Sequence, residues 1–143
     1  MGVTRNKLVM LSLMLEYGVS FDKFSLSLVL KACSRFCLMK EGMQVHGLLR
    51  KLNVGSNLFL QNCLISLYLR CGFIGYARQL FDSMSRRDSV SYNSMIDGYI
   101  KRGMIDLASE LFDFMPIEYK NLITWNCMIS GYAQLENGMD LAL

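Results

Sequence analysis

Polar and apolar positions along the chain recur as one phrase. Asn62-Cys63-Leu64-Ile65 sets an amide side chain ahead of a small residue and two bulky apolar ones, and it returns as Asn93-Ser94-Met95-Ile96 and Asn126-Cys127-Met128-Ile129. Tyr68, Tyr99 and Tyr132 follow six positions on, and Gly72 and Gly103 ten on. The anchors lie 31 and then 33 residues apart, and a degenerate copy, Ser27-Leu28-Val29-Leu30, starts 35 residues before Asn62. Periods of this length, each holding two amphipathic segments, belong to helix-turn-helix solenoids, in which a unit buries its apolar face only against its neighbours. The expected fold is all-α, a stack of helical hairpins.

The pattern divides the chain into units at 1–22, 23–57, 58–88, 89–121 and 122–143. The first is the second helix of a partial unit, residues 7–17, closed by Gly18 as a left-handed cap. Unit 23–57 has helices over 25–34 and 40–51. Unit 58–88 has them over 59–70 and 74–83 around Cys71-Gly72, and unit 89–121 over 91–101 and 105–114, broken by Gly103 and closed by Pro116. The second helices rhyme, Ala77-Arg78-Gln79-Leu80-Phe81-Asp82 against Ala108-Ser109-Glu110-Leu111-Phe112-Asp113, with alanine expected where two helices approach closely. The last unit starts at Leu122 and is expected to end within its second helix. Such a chain reads as a piece of a longer array.

Composition narrows the class. The chain is 52% hydrophobic and 19% charged, with Pro116 as its single proline, which suits continuous helical packing. The most apolar run, residues 8–15, is far shorter than the ~20 residues that span a bilayer, so no membrane partner is expected. Neither a signal-peptide layout nor an organellar transit peptide is visible at the N-terminus. A net charge of +3 is weak support for a polyanionic partner. The five cysteines include no C-x-x-C pair, and Cys33, Cys37 and His46 supply at most three ligands, so neither a metal nor a cofactor is expected. Cys63 and Cys127 share a slot that Ser94 fills in the other copy, which reads as a small residue at a tight helix contact in a reducing compartment.

The phrases Val29-Leu30-Lys31-Ala32-Cys33-Ser34, Gln44-Val45-His46, Ala77-Arg78-Gln79-Leu80-Phe81-Asp82, Arg87-Asp88-Ser89-Val90-Ser91-Tyr92-Asn93 and Met128-Ile129-Ser130-Gly131-Tyr132-Ala133-Gln134 carry a resemblance. From Leu8 onward the chain resembles the pentatricopeptide repeat family, in its plant organellar subgroup with units of variable length. Units 89–121 and 122–143 look like those of plastid RNA-editing specificity factors of the chlororespiratory reduction type. The resemblance implies a right-handed α-solenoid that reads single-stranded organellar RNA one base per repeat. The reading residues it implies are the fifth and the last of each unit: Ser27 with Asn57, Asn62 with Asp88, and Asn93 with Asn121. Asn126 has no last-residue partner in the chain, and Asp22 no first-helix partner. In the family, Asn with Asp implies uridine, Asn with Asn a pyrimidine with cytidine favoured, and Ser with Asn leans to adenosine, giving 5′-A-U-C/U-3′. The implied site is the chloroplast, with the mitochondrion as alternative.

The residues themselves point the same way. An amide offers donor and acceptor together, so a repeated Asn at the start of an apolar helix can satisfy the edge of an unstacked base. The competing role is a cap or a bond between neighbouring helices; three asparagines in register, with Asp or Asn at each junction, favour reading. Phe24, Phe59, Val90 and Ile123 each stand three residues before a reading position, and either wedge between bases, as the resemblance implies, or pack on the previous unit. Tyr92 and Trp125 project to the opposite side and are assigned to the core. Arg35, Arg70 and Lys101 each lie eight residues after Ser27, Asn62 and Asn93, near one face, where phosphates or merely helix dipoles would hold them.

Catalysis is not expected. The zinc deaminase signature found in some plant members is missing from this sequence, and His46 is followed by Gly47 and Leu48, which suits a helix face. Chemistry would come from a partner or from a missing C-terminal domain, and the partners expected beside the RNA are RNA-editing accessory proteins or a deaminase in trans. The rival is a protein-binding scaffold like tetratricopeptide repeats, whose 34-residue unit has a different Trp/Gly/Tyr pattern.

Overall fold

The computed structural model describes residues 6, 9–10, 12–13, 16–18, 22–52 and 54–142, with only the backbone for 138–142. Among the described residues it delimits seven α-helices and no strand: α1 Lys23–Phe36, α2 Met39–Lys51, α3 Leu58–Arg70, α4 Ile74–Ser83, α5 Ser89–Lys101, α6 Ile105–Phe114 and α7 Leu122–Ala142, with a 3₁₀ turn at Ile117–Tyr119. The all-α expectation is met. Of the helix expected over 7–17, residues 9–10, 12–13 and 16 are helical and the rest of it up to residue 16 lies outside the described residues, while Gly18 after it has φ +67, the conformation expected of its cap. The Cα framework divides into two units, Met1–Ala77 and Arg78–Leu143.

In the first unit α1, α2 and α3 pack pairwise. Leu26, Val29, Leu30 and Cys33 recur at helical spacing on α1 and are all buried. The helix extends two residues beyond expectation at each end because its caps lie farther out: Asp22 opens it, and Cys37, at φ 51, closes it with its N–H on the Cys33 and Ser34 carbonyls. On α3, Leu60, Leu64, Ile65, Leu67, Tyr68 and Leu69 are buried, so the helix is apolar over most of its circumference, as one flanked by two others must be. It meets α2 at Gly42, where an added Cβ would lie 2.6 Å from Leu67 Cδ2.

In the second unit α5, α6 and α7 pack pairwise around Met95, Ile96, Tyr99, Ile100, Ala108, Leu111 and Met128. Ala77 and Ala108 are both fully buried, as expected of a residue at a close approach. Met115 leaves the helical region, at ψ 127, because the Pro116 ring disfavours an α conformation before it. Ser89 then donates to the Tyr119 carbonyl at 2.8 Å, tying the 3₁₀ turn to the start of α5.

One expectation is corrected. The sequence reading has the last unit turn into a second helix, but residues 122–142 form a single helix of 21 residues. Helices α3 and α5 turn at Gly72 and Gly103, both at positive φ, ten residues after the repeated Asn, and α1 turns at Cys37, ten after Ser27; after Asn126 that place belongs to Glu136, for which the left-handed region is costly, and the helix continues.

The recurring tyrosines join successive helices. Tyr68 on α3 bonds through its hydroxyl to His46 Nδ1 on α2 at 2.7 Å, Tyr99 on α5 accepts from Arg78 on α4 at 3.2 Å, and Tyr132 on α7 meets Ser109 on α6 at 2.9 Å. Each partner stands immediately after Val45, Ala77 or Ala108, so the joint repeats while its chemistry changes.

His46 gives one joint a pH dependence. Burial holds its ring below the ordinary 6.5, and Arg50 adds to the effect. The folded chain therefore takes up this proton less readily than the unfolded chain. Its contribution to stability is full above the unfolded value and is lost as pH falls from there through the folded value. His46→Gln is expected to flatten this loss, read as urea midpoints of both proteins at about pH 7.5 and about pH 5.

Candidate nucleic-acid interface

The last residue of each unit proves to be a helix cap. Asp22 Oδ1 accepts from the Ser25 N–H at 2.8 Å, Asn57 Oδ1 from Leu60 at 3.1 Å, Asp88 Oδ1 from Ser91 at 3.0 Å and Asn121 Oδ1 from Thr124 at 3.1 Å. These bonds satisfy a backbone donor that the first turn leaves without a partner. The Ser25 N–H also keeps the exposed Asp22 carboxyl below its ordinary range. At Asp88 and Asn121 the residue three on returns the bond through its hydroxyl, Ser91 Oγ to the Asp88 N–H at 3.3 Å and Thr124 Oγ1 to the Asn121 N–H at 3.1 Å. Sequence reasoning assigned these residues to base contact and overlooked the cap, although Asp/Asn followed three on by Ser/Thr signals it at Asp22, Asp88 and Asn121.

The fifth residues differ among themselves. Ser27 is buried and donates to the Phe24 carbonyl of its own helix at 2.8 Å. Asn62 is half-buried and Asn126 exposed. Asn93, only 8% exposed, donates through Nδ2 to Asn121 Oδ1 at 3.1 Å and accepts at Oδ1 from the Thr124 hydroxyl at 2.6 Å. The structure thus joins Asn93 with Asn121 directly, through the interhelical bond that the sequence offered as the alternative to reading. Asn62 belongs to the first unit and Asp88 to the second.

Phe24, Phe59, Val90 and Ile123 are 63%, 42%, 54% and 61% exposed, so none is consumed by packing on a preceding helix. Tyr92 is buried, edge-on to Phe81 at 5.2 Å, as assigned. Trp125 departs from its core assignment: it meets Phe112 edge-on at 5.0 Å but stays 48% exposed, because no described helix covers its other side.

Arg35, Arg70 and Lys101 are exposed in the last turns of α1, α3 and α5. There a cation also complements the carbonyl end of the helix dipole. Lys101 pairs with Asp97 at 2.8 Å, a solvent-facing pair worth little and easily exchanged for another anion. Among the described residues no three His, Cys, Asp or Glu side chains cluster as a metal site. Cys63 and Cys127 are half-buried, and burial raises both thiols above their ordinary range.

The exposed apolar row has a measurable signature. Phe24→Ala is expected to cost less than about 1 kcal/mol of stability, against about 2–5 kcal/mol for Leu26→Ala in the core two positions on. Urea unfolding of the two variants checks the contrast.

Comparison with known proteins completes the picture. The PPR repeat model matches residues 62–89, 90–118 and 123–140. A chloroplastic pentatricopeptide repeat-containing protein of Arabidopsis thaliana is 67% identical over 138 residues, 96% of this chain and 22% of that protein. A second from the same plant is 43% identical over 97 residues, 68% of this chain and 17% of its own length, and a mitochondrial one is 40% identical over 83 residues, 58% and 12%. The chain spans about a fifth of the length of the curated relatives it matches. Proteins of this kind are in general non-enzymatic binders of organellar RNA. With three successive matches, over two helical hairpins and the last helix, the chain belongs to the PPR repeat family.

Proposed function

We propose that this chain is a stretch of a sequence-specific reader of single-stranded RNA, one base per repeat, acting in organellar RNA processing as a specificity factor for C-to-U editing. The adjacency of Asn93 and Asn121 is the observation that supports the reading: the bond between them is the interhelical one set against reading, yet it brings the fifth and the last residue of one unit to a single place. Units at 23–57, 58–88 and 89–121, between partial units 1–22 and 122–143, read 5′-A-U-C/U-3′ through Ser27 with Asn57, Asn62 with Asp88, and Asn93 with Asn121. Phe24, Phe59, Val90 and Ile123 supply apolar surface for stacking between bases, and Arg35, Arg70 and Lys101 supply charge for phosphates.

The similarity to a chloroplastic relative supports a place in the chloroplast, with the mitochondrion as alternative. The editing role rests on the resemblance of units 89–121 and 122–143 to plastid editing factors, with the chemistry supplied by a partner such as a deaminase in trans or by a C-terminal domain outside this sequence, and with RNA-editing accessory proteins as further partners. Three bases at about 1–3 kcal/mol each, less an association cost of about 4 kcal/mol or more, leave this stretch alone with roughly millimolar affinity.

Fluorescence anisotropy of a longer array carrying these units, against RNAs that differ only at the base facing Asn62, tests the reading. Asn62→Thr is expected to turn a uridine preference towards guanosine. Binding by both proteins without base preference would reduce the pairs to structural roles. No RNA binding, with peptide binding in its place, would make the chain a scaffold.

A further inference from the structure

The polar network around Asn93 closes on itself in one direction. The Asn121 N–H donates to Thr124 Oγ1 at 3.1 Å, the Thr124 hydroxyl to Asn93 Oδ1 at 2.6 Å, and Asn93 Nδ2 to Asn121 Oδ1 at 3.1 Å, while the Thr124 N–H donates to that same Oδ1 at 3.1 Å. Thr124 Oγ1 also lies 3.1 Å from Asn121 Oδ1, but a hydroxyl has one proton, and the 2.6 Å contact takes it. Thr124 is fully buried, Asn93 nearly so, and Asn121 exposed.

Donors and acceptors can now be counted. Asn121 Oδ1 accepts two bonds inside the ring, and Asn93 Oδ1 is turned inward onto the buried Thr124 hydroxyl, so what the two side chains retain for the surface is N–H, one on Asn93 and two on Asn121. A surface of adjacent donors matches a base edge with adjacent acceptors. Cytosine alone has them on its Watson–Crick edge, at N3 and O2, since uracil sets an N–H between two carbonyls, guanine has two donors beside one acceptor, and adenine pairs one of each.

We infer that Thr124 is a positioning residue for base choice: its hydroxyl fixes the Asn93 amide with oxygen inward, so that the Asn93–Asn121 pair faces the RNA as a donor-only surface selective for cytidine. This rests on the RNA-reading proposal above. The first pair lacks the device, since Leu60 stands three residues after Asn57 and Ser27 is tied to the Phe24 carbonyl. That pair is accordingly the weaker discriminator.

The test uses the ¹⁵N-labelled chain, its Thr124→Val and Thr124→Ser variants, and the trinucleotides 5′-AUC-3′, 5′-AUG-3′ and 5′-AGC-3′, with affinities read from NMR shifts. In the free protein one Asn93 amide proton is expected to exchange slowly in the parent and in Thr124→Ser, and fast in Thr124→Val. The parent is expected to favour AUC over AUG by about five-fold or more. Thr124→Val should compress that ratio to within about two-fold, keep the preference for AUC over AGC set by the neighbouring pair, and recover in Thr124→Ser. A Thr124→Val protein that keeps its AUC over AUG preference overturns the inference alone. One that loses both preferences together also overturns it, leaving Thr124 a helix cap. A parent without preference at either base overturns the RNA-reading proposal, and the inference with it.

Discussion

The bond between a junction side chain and the backbone N–H three residues later governs the rest of the structure. It occurs at Asp22, Asn57, Asp88 and Asn121, and each instance fixes where a helix begins. Once the start is fixed, so is the angular position of every residue that follows on the helix. The second residue stays on the exposed side and the third turns inward, and in the second unit the fifth, Asn93, falls beside the Asn121 cap of α7. A cap also divides its own side chain between two uses. One oxygen is committed to the protein, and whatever the side chain has left defines what it can offer outward.

This division explains why a structural and a recognition role need not compete for the same residue. At Asn121 the carbonyl oxygen holds the helix while the amide nitrogen remains on the surface. At Ser27 the single hydroxyl goes to the backbone of its own helix, and little is left for a ligand. The four exposed apolar residues and the terminal-turn cations flank these positions on the same first helices, Arg35, Arg70 and Lys101 lying about 12 Å farther along by the helical rise. The side chains proposed for recognition therefore stand on helices instead of loops.

Most of the fold was legible because its signals are periodic. The α4 and α6 spans follow from apolar spacing and from Gly72, Gly103 and Pro116, each of which acts on the backbone locally. What misled was subtler. The α1 boundaries moved outward because Cys37 adopts a left-handed conformation usually left to glycine. The last unit has Glu136 where two others turn at glycine, and a helical pattern without a breaker simply continues. At the candidate interface, the exposure of Phe24, Phe59, Val90 and Ile123 could not be told from packing by sequence alone, since a bulky apolar residue serves both. The Thr124 ring was out of reach for another reason: it depends on hydrogen-bond direction across two helices, and only the cap half of it has a local spacing.

The tyrosine joints carry a different kind of information. In each, one partner is always a phenol, while the other is an imidazole, a guanidinium or an aliphatic hydroxyl. A coupling with one fixed half and one interchangeable half can be strengthened, weakened or made responsive to its surroundings by a single substitution, without touching the apolar core beside it. Each tyrosine also sits six residues beyond the reading position, roughly two-thirds of a turn around the same helix. The cohesion between neighbours and the proposed choice of base thus fall on separate letters of one helix, and in a chain whose stability is a sum of neighbour terms, each can be changed independently of the other.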